Sequence, residues 1–286
     1  MSPVDKPPLL PLPVGAISHA VVFFEAMPKN LMTRLTERMQ AEYPHLRPLD
    51  PARWGAATQP RMVSFGELEA ETGAHGHTAR WHLLVDSEGV APDVKRAILS
   101  GPQANDERMV VKLEEASASV LIFLLDDGWR PSTPTTRMHA LCDPVWELLD
   151  LGASGVAFPE GGTMLSAETL KLVRPADLTA GHSYLFVSSG LAHRSETHFW
   201  FRTFGMAQFG LPDLCHAVPM QLGAELEDEL TRTRLVLETL PPEMIAQGGV
   251  LPIGGSVLVG ERVFKAARLP EDAPPLVSRH GFCYLE

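Results

Sequence analysis

Histidine and its neighbours give the first candidates for chemistry, because the chain holds 11 histidines. Alternate residues of a strand point to one face, so His75 and His77 would present two imidazoles together, as a zinc site requires. Neither of the two short-range groups supplies a convincing third and fourth ligand, and we therefore expect surface or hydrogen-bonded histidines, with no metal and no cofactor. The two groups are His75, His77 and His82, and His193, Glu196 and His198.

Two acidic doublets, Glu114–Glu115 and Asp126–Asp127, are the candidates for paired acid and base catalysis. Neighbouring residues on a strand face opposite ways, which makes either doublet a poor pair. The sequence Asp126-Asp127-Gly128 is better suited to a turn.

The loops that bind phosphates or activate a serine are also missing from the sequence. Gly254-Gly255 and Gly260 lack the lysine and the long following helix of a nucleotide-binding loop, and they indicate a β-turn. Ser154 lies in Gly152-Ala-Ser-Gly155, which misses the Gly-x-Ser-x-Gly spacing of a nucleophile elbow. An enzyme with this sequence would need a site assembled from residues far apart in the chain.

The most distinctive segment runs from His198 to Leu214 and is dense in aromatic residues and glycine. Strand alternation places Trp200, Arg202 and Phe204 on one face, so that the arginine would lie among aromatic rings. The segment is either a core strand with its turn or a binding surface centred on Trp200, Arg202 and Gln208. The residues expected to shape the bulge and the turn are Gly205, Gly210 and Pro212.

Within that segment, Arg202-Thr-Phe-Gly-Met-Ala-Gln-Phe-Gly-Leu-Pro-Asp-Leu214 resembles a bacterial family, the domain of unknown function numbered 4261. The resemblance runs over residues 116–286 and takes in the helix that starts near Ala224 and the Gly254-Gly255 turn. It implies a bacterial cytosolic α+β domain and assigns no catalytic residue.

The charge of the chain bears on its partners. The formal net charge of −11 repels nucleic acid and anionic lipid, and the sequence has no run of Lys and Arg, so we expect neither as a partner. No stretch has the roughly 20 apolar residues that cross a bilayer. The three cysteines are widely spaced and indicate small buried residues in a reducing compartment, so we expect a cytoplasmic protein.

Hydrophobic periodicity predicts an α+β protein with mixed, largely antiparallel sheets and packed helices, because strands and helices do not alternate regularly. We expect a helix over 92–100 that ends at a left-handed Gly101, and strands at 109–113 and 183–188. A nearly unbroken apolar strand at 118–125 should be central in its sheet. Helices should start at Thr133-Pro134, interrupted at Pro144, and at Ala224.

Residues 1–15 are rich in proline and should form an extended arm. The remainder divides either into two α+β halves, 16–174 and 175–286, or into one continuous domain. The function most consistent with an acidic chain and no catalytic signature is a protein-binding module, of the immunity or adaptor kind, with a basic protein partner. The alternative is an enzyme with a dispersed site for a small molecule.

Overall fold

The computed structural model describes residues 17–42, 47–49, 62–70, 79–101, 106–125, 133–173 and 177–286. It confirms the predicted fold class, since these residues form two mostly antiparallel sheets with packed helices. The Pro-rich arm, His75, His77 and the doublet Asp126–Asp127 lie outside the described residues.

The first sheet has seven strands in the order β2-β3-β4-β5-β1-β6-β7, and every neighbouring pair is antiparallel. The predicted apolar strand, β5, is central and pairs with β1 and β4. The strands are β1 (Ile17–Phe24), β2 (Arg47–Leu49), β3 (Met62–Ala70), β4 (Ala79–Asp86), β5 (Ala118–Leu125), β6 (Gly155–Phe158) and β7 (Thr163–Ser166).

The second sheet has six strands in the order β11-β12-β13-β10-β9-β8. Its one parallel pair is β10 with β13, which brings a strand near the C-terminus into the middle of the sheet. The strands are β8 (Ser188–Arg194), β9 (His198–Phe204), β10 (Asp213–Pro219), β11 (Ser256–Val259), β12 (Arg262–Ala267) and β13 (Phe282–Leu285).

Two helices, which begin at Pro134 and at Leu226, continue through proline residues. The first of them begins as predicted, with the Thr133 side chain accepting from the N–H of Thr136, but it runs past Pro144 without the expected interruption. Burial of Pro144 with the apolar face of the helix offsets the one backbone hydrogen bond that proline removes. The helices are α1 (Leu31–Glu42), α2 (Pro92–Leu99), α3 (Glu107–Glu115), α4 (Pro134–Asp150), α5 (Ala167–Leu170) and α6 (Leu226–Gln247). None within the described residues is long and apolar enough to span a membrane.

Two strand predictions were wrong. Residues 109–113 belong to α3, because Asp106 caps the helix by accepting from the N–H groups of Arg108 and Met109. Residues 183–188 mostly belong to a 3₁₀ helix, Ala180–Leu185, which ends just before β8. In both places, a run of apolar residues was too short to distinguish a strand from one buried face of a helix.

A single large hydrophobic cluster contains residues from both sheets. Helix α4 packs on β1 and β5 and also contacts α1 and α6, so it links the part before residue 174 to the part after it. The first sheet lies wholly before the boundary expected near residue 175, and the second lies wholly after it. All three cysteines are free and buried, as predicted.

The two sheets meet at the backbone carbonyl of Phe186. A Cβ atom added to Gly161 would lie 1.9 Å from that oxygen, and one added to Gly205 would lie 2.5 Å from it, so only glycine permits this approach. Gly101 has the same role against Gly162, where an added Cβ would lie 2.5 Å from the Cα atom. The expected left-handed φ at Gly101 was wrong, because the close approach of the backbone requires glycine there instead.

Buried polar side chains complete this junction. The side-chain amide of Gln208 donates to the backbone carbonyl of Phe186 at 2.8 Å. The backbone carbonyl of Gln208 accepts from the Arg137 side chain at 3.1 Å and also from the Ser18 hydroxyl on β1. We define the sheet junction as Gly161, Phe186, Gly205 and Gln208.

We predict that Gly161→Ala lowers the free energy of unfolding by about 3 kcal/mol or more, because the added methyl group overlaps the Phe186 oxygen. Urea unfolding followed by circular dichroism measures the change. Gly181→Ala is the matched control, since its added Cβ would meet no described atom closer than 3.4 Å and its φ is not positive. Equal stability of the two variants would contradict a sterically closed junction.

Candidate binding groove

Trp200 lies in β9 and is only 3% exposed. It packs with Cys215 and Tyr284 in a small cluster on one face of the second sheet, which apolar residues of the segment before β13 cover. The indole Nε1 has no hydrogen-bond partner among the described residues. The side chain is thus part of a core and not of the surface.

Arg202 lies among aromatic rings, as strand alternation predicted. Its guanidinium carbon lies 4.1 Å from the ring centroid of Phe204 and 5.6 Å from that of Phe282, and it donates to the carbonyl of Val277. These contacts hold the segment before β13 against the sheet, and the positive charge lies near the buried carboxyl group of Asp213.

Asp213 is the most buried carboxyl group in this region, with 3% of its surface exposed. It accepts from Ser278 at 2.7 Å, and from Thr203 and the N–H of Met206 at 3.3 Å. Burial raises its pKa to about 6, although these hydrogen bonds and the charge of Arg202 act in the opposite direction. The network is therefore a buried polar clamp between β9, β10 and the C-terminal segment.

The predicted turn residues surround a 3₁₀ helix, Met206–Phe209. Gly205 and Gly210 flank it with φ of 101° and 77°, which favour glycine, and Pro212 directly precedes β10. Gln208, in the middle, is fully buried at the sheet junction. The three residues expected to form a binding surface are therefore dispersed over a core, a clamp and the junction.

Of the two candidate metal-ligand groups, only His193, Glu196 and His198 lie fully within the described residues, since His75 and His77 lie outside them. Within the described ranges, no group of three or more His, Cys, Asp or Glu side chains is placed to hold a metal ion. His193 and His198 lie on the adjacent strands β8 and β9. Glu114 and Glu115 end helix α3 and are both exposed, so the expected strand geometry of this doublet was wrong.

A groove of about 710 Å³ lies between α6, the 3₁₀ helix Ala180–Leu185 and the start of β8. We call it the α6–β8 groove. Apolar residues of both walls face it, and Tyr184 at its rim is 60% exposed. The lining consists of Gly181, Ser183, Tyr184, Val187, Ser188, Ser189, Gly190, Phe201, Leu230, Arg234, Leu237, Glu238, Pro241 and Pro242.

The helical wall follows from residue spacing along α6. Leu230, Arg234, Leu237, Glu238 and Pro241 recur at three- and four-residue intervals, so they share one face of the helix. Arg234 and Glu238 form an exposed ion pair at 2.7 Å above the apolar floor. The groove is therefore apolar at depth and charged at its edge.

The opposite wall is the last strand of a sheet. β8 pairs with β9 on one side, and no described strand pairs with it on the other. A register shift between Leu191 and His193 interrupts the regular pairing of its second half. The regular first half, starting at Ser188, is the part that lines the groove.

A buried polar cluster fastens α6 to the sheet. Glu229 accepts from Arg262 on β12 and lies 3.5 Å from His216 on β10. The His216 Nδ1 donates to the carbonyl of Leu285 at 2.8 Å. Burial lowers the pKa of His216. For Glu229, burial favours a higher pKa, but the interactions with Arg262 and His216 outweigh it, and the pKa of Glu229 is lowered.

Sequence reasoning found the helix of this groove but not the groove. The sequence predicted a helix starting near Ala224, but the apolar face of such a helix normally packs in a core. The groove could not be predicted because it depends on the position of β8 at the edge of its sheet, and no local sequence pattern indicates strand order. The exposure of Tyr184 in an otherwise apolar run likewise becomes visible only in the structure.

Comparison of the chain with models of protein families, with curated proteins and with solved structures found no match. The resemblance to the family numbered 4261 therefore stays a prediction.

Asp213 generates a prediction about pH. Its pKa is raised to about 6 in the folded state, whereas in the unfolded chain it has the ordinary value of about 4. Between these pH values the carboxyl group is ionised in the unfolded chain and protonated in the folded protein, so folding stability falls as the pH rises through that window. In Asp213→Asn this contribution is absent. We expect the free energy of unfolding of the variant, relative to the wild type, to rise by up to about 3 kcal/mol from pH 4 to pH 7.

Chemical denaturation at a series of pH values measures this difference, and Asp228→Asn, at an exposed position on α6, controls for the removal of one charge. A relative stability of Asp213→Asn that is constant or falls with pH would contradict the assignment of a raised pKa.

Proposed function

We propose that this protein is a binding module for another protein and that the α6–β8 groove is its contact site. The observation that carries the proposal is the combination of an apolar groove with a strand edge, in one wall, with which no described strand pairs. Protein segments use both features, because the edge offers backbone donors and acceptors while the groove buries side chains.

Residues of the groove support binding better than catalysis. Its described lining contains no histidine and no cysteine, and its polar side chains are three serines, Tyr184 and the Arg234–Glu238 pair. The one carboxylate in that lining, Glu238, is paired with Arg234, so the serines have no histidine or unpaired carboxylate there that could activate them. The alternative proposal, an enzyme acting on a small molecule, would have to draw a base from beyond these residues.

The exposed Tyr184 fits the same proposal. Tyrosine is enriched at interface positions that contribute most to affinity, because it buries a large area with few rotatable bonds. Here it stands at the rim of the groove with 60% of its surface accessible. Leu191, which pairs with Phe201 across β8 and β9, extends the apolar surface and is also exposed.

The charge of the chain suggests the kind of partner. The net charge of −11 favours a basic protein, since complementary charge accelerates association and disfavours acidic competitors. We propose a cytoplasmic setting and a role as an immunity-type antagonist or an adaptor, following the expected bacterial origin.

The test is affinity capture from extracts of the source organism with three immobilised proteins: wild type, Tyr184→Ala and Leu172→Ala. Leu172 is 84% exposed and lies outside the groove, so it is the matched control for loss of an exposed apolar side chain. We expect a basic protein to be retained by wild type and control and reduced at least about tenfold by Tyr184→Ala, as for a hot-spot residue.

The captured pair, once purified, should bind more weakly as salt increases. A partner retained equally by all three proteins would place the contact outside the groove and contradict the proposed site. Turnover of a metabolite that is lost in the Tyr184→Ala variant, with no captured partner, would favour the enzyme.

A further inference from the structure

The edge of β8 allows a more specific statement, which rests on the proposed function. We propose that the α6–β8 groove binds an extended segment of a basic partner, which adds to the second sheet as a strand beside Ser188–Leu191. The proposal names the conformation of the bound segment, its charge and the strand with which it pairs.

The pairing surface is limited to the first half of β8. Natural edge strands prevent pairing by means that include a bulge and a charged side chain. The second half of β8 has both, since the register shift lies between Leu191 and His193 and the charged residue is Arg194. Ser188, Ser189 and Gly190 have neither and line the groove, where Ser189 and Gly190 are partly exposed and Ser188 is buried. With Leu191, the stretch Ser188–Leu191 spans about 13 Å, enough for four paired residues.

Alternation of side chains would place every second residue of the added strand against the apolar lining. On β8, Ser189 and Leu191 pair with Thr203 and Phe201, so they share the strand face of Phe201, which lines the groove. A neighbouring strand in register has the same alternation. Its apolar residues would face Phe201, Leu230 and Leu237, and its intervening residues would face the other side of the sheet.

The net charge of α6 as a whole favours a basic segment. Helix α6 carries five carboxylates and two arginines, for a net charge of −3. Both arginines are paired, Arg232 with Glu229 and Arg234 with Glu238, so the excess charge comes from residues such as the exposed Glu227 and Asp228, which lie at the start of the helix and outside the groove lining. Lysine or arginine flanking the apolar positions of the bound segment would complement this wall.

The proposal is tested by selecting binders from a phage-displayed library of random 12-residue peptides on the full-length protein. Peptides that fail to bind Tyr184→Ala and Ser189→Trp are retained, because tryptophan at position 189 would fill the groove from the strand side. We expect the retained peptides to alternate apolar with other residues and to be enriched in lysine and arginine.

Synthetic copies of the best peptide then test the backbone. Antiparallel and parallel strands use the N–H groups of alternate residues, so N-methylation of one alternate set should weaken binding at least tenfold, and methylation of the other set should not. Amide hydrogen exchange at residues 188–191 should slow when the peptide is bound. Glu227→Gln/Asp228→Asn should weaken binding at low salt, with Leu172→Ala as the control that leaves it unchanged.

The remaining outcomes separate this inference from the proposed function. Groove-dependent peptides that are acidic, or that tolerate methylation of both alternate sets, would overturn strand addition while leaving the groove as a protein-binding site. Failure to recover any groove-dependent peptide, together with a natural partner captured equally by wild type and Tyr184→Ala, would overturn both.

Discussion

The close approach of three backbone segments at the Phe186 carbonyl is the constraint on which the arrangement of the two sheets depends. Gly161 comes from the turn between β6 and β7, and Gly205 from the end of β9, and neither position can accept a Cβ without displacing that oxygen. The Gln208 amide gives the carbonyl a hydrogen bond in a place that water does not reach. A buried carbonyl left without a partner would cost about 1 to 3 kcal/mol, so steric fit and polar satisfaction act at the same point.

The groove depends on this junction because β8 begins two residues after Phe186. The Ser188 hydroxyl donates to the carbonyl of Gly161, and Thr163 donates to that of Leu185, so the start of β8 is fixed against the first sheet. The opposite wall is fixed independently, since Glu229 joins α6 to β10 and β12. The two walls of the groove are therefore fixed to the body of the protein at different polar contacts, one at the sheet junction and one at Glu229.

Much of the fold could be predicted from the sequence because its signals are local. The Thr133 cap, the apolar β5 and the alternation that places Arg202 among aromatic rings each depend on residues close together in the chain. The strand order could not be predicted, because it depends on contacts between distant residues. Residues 109–113 were assigned wrongly for a different reason, since the signal that favours a helix there, the Asp106 cap, is local.

The candidate site was missed for a related reason. Dense aromatic and glycine residues drew attention to 198–214, but such density is also what a closely packed junction requires, and Gln208 and Trp200 are buried there. The groove is instead lined by serine, proline and leucine, residue types that are ordinary in any sequence. Their significance comes from position, next to a strand edge and under a helix with excess negative charge. A groove of this kind is defined by the position of a strand edge in the fold, and no local motif records that.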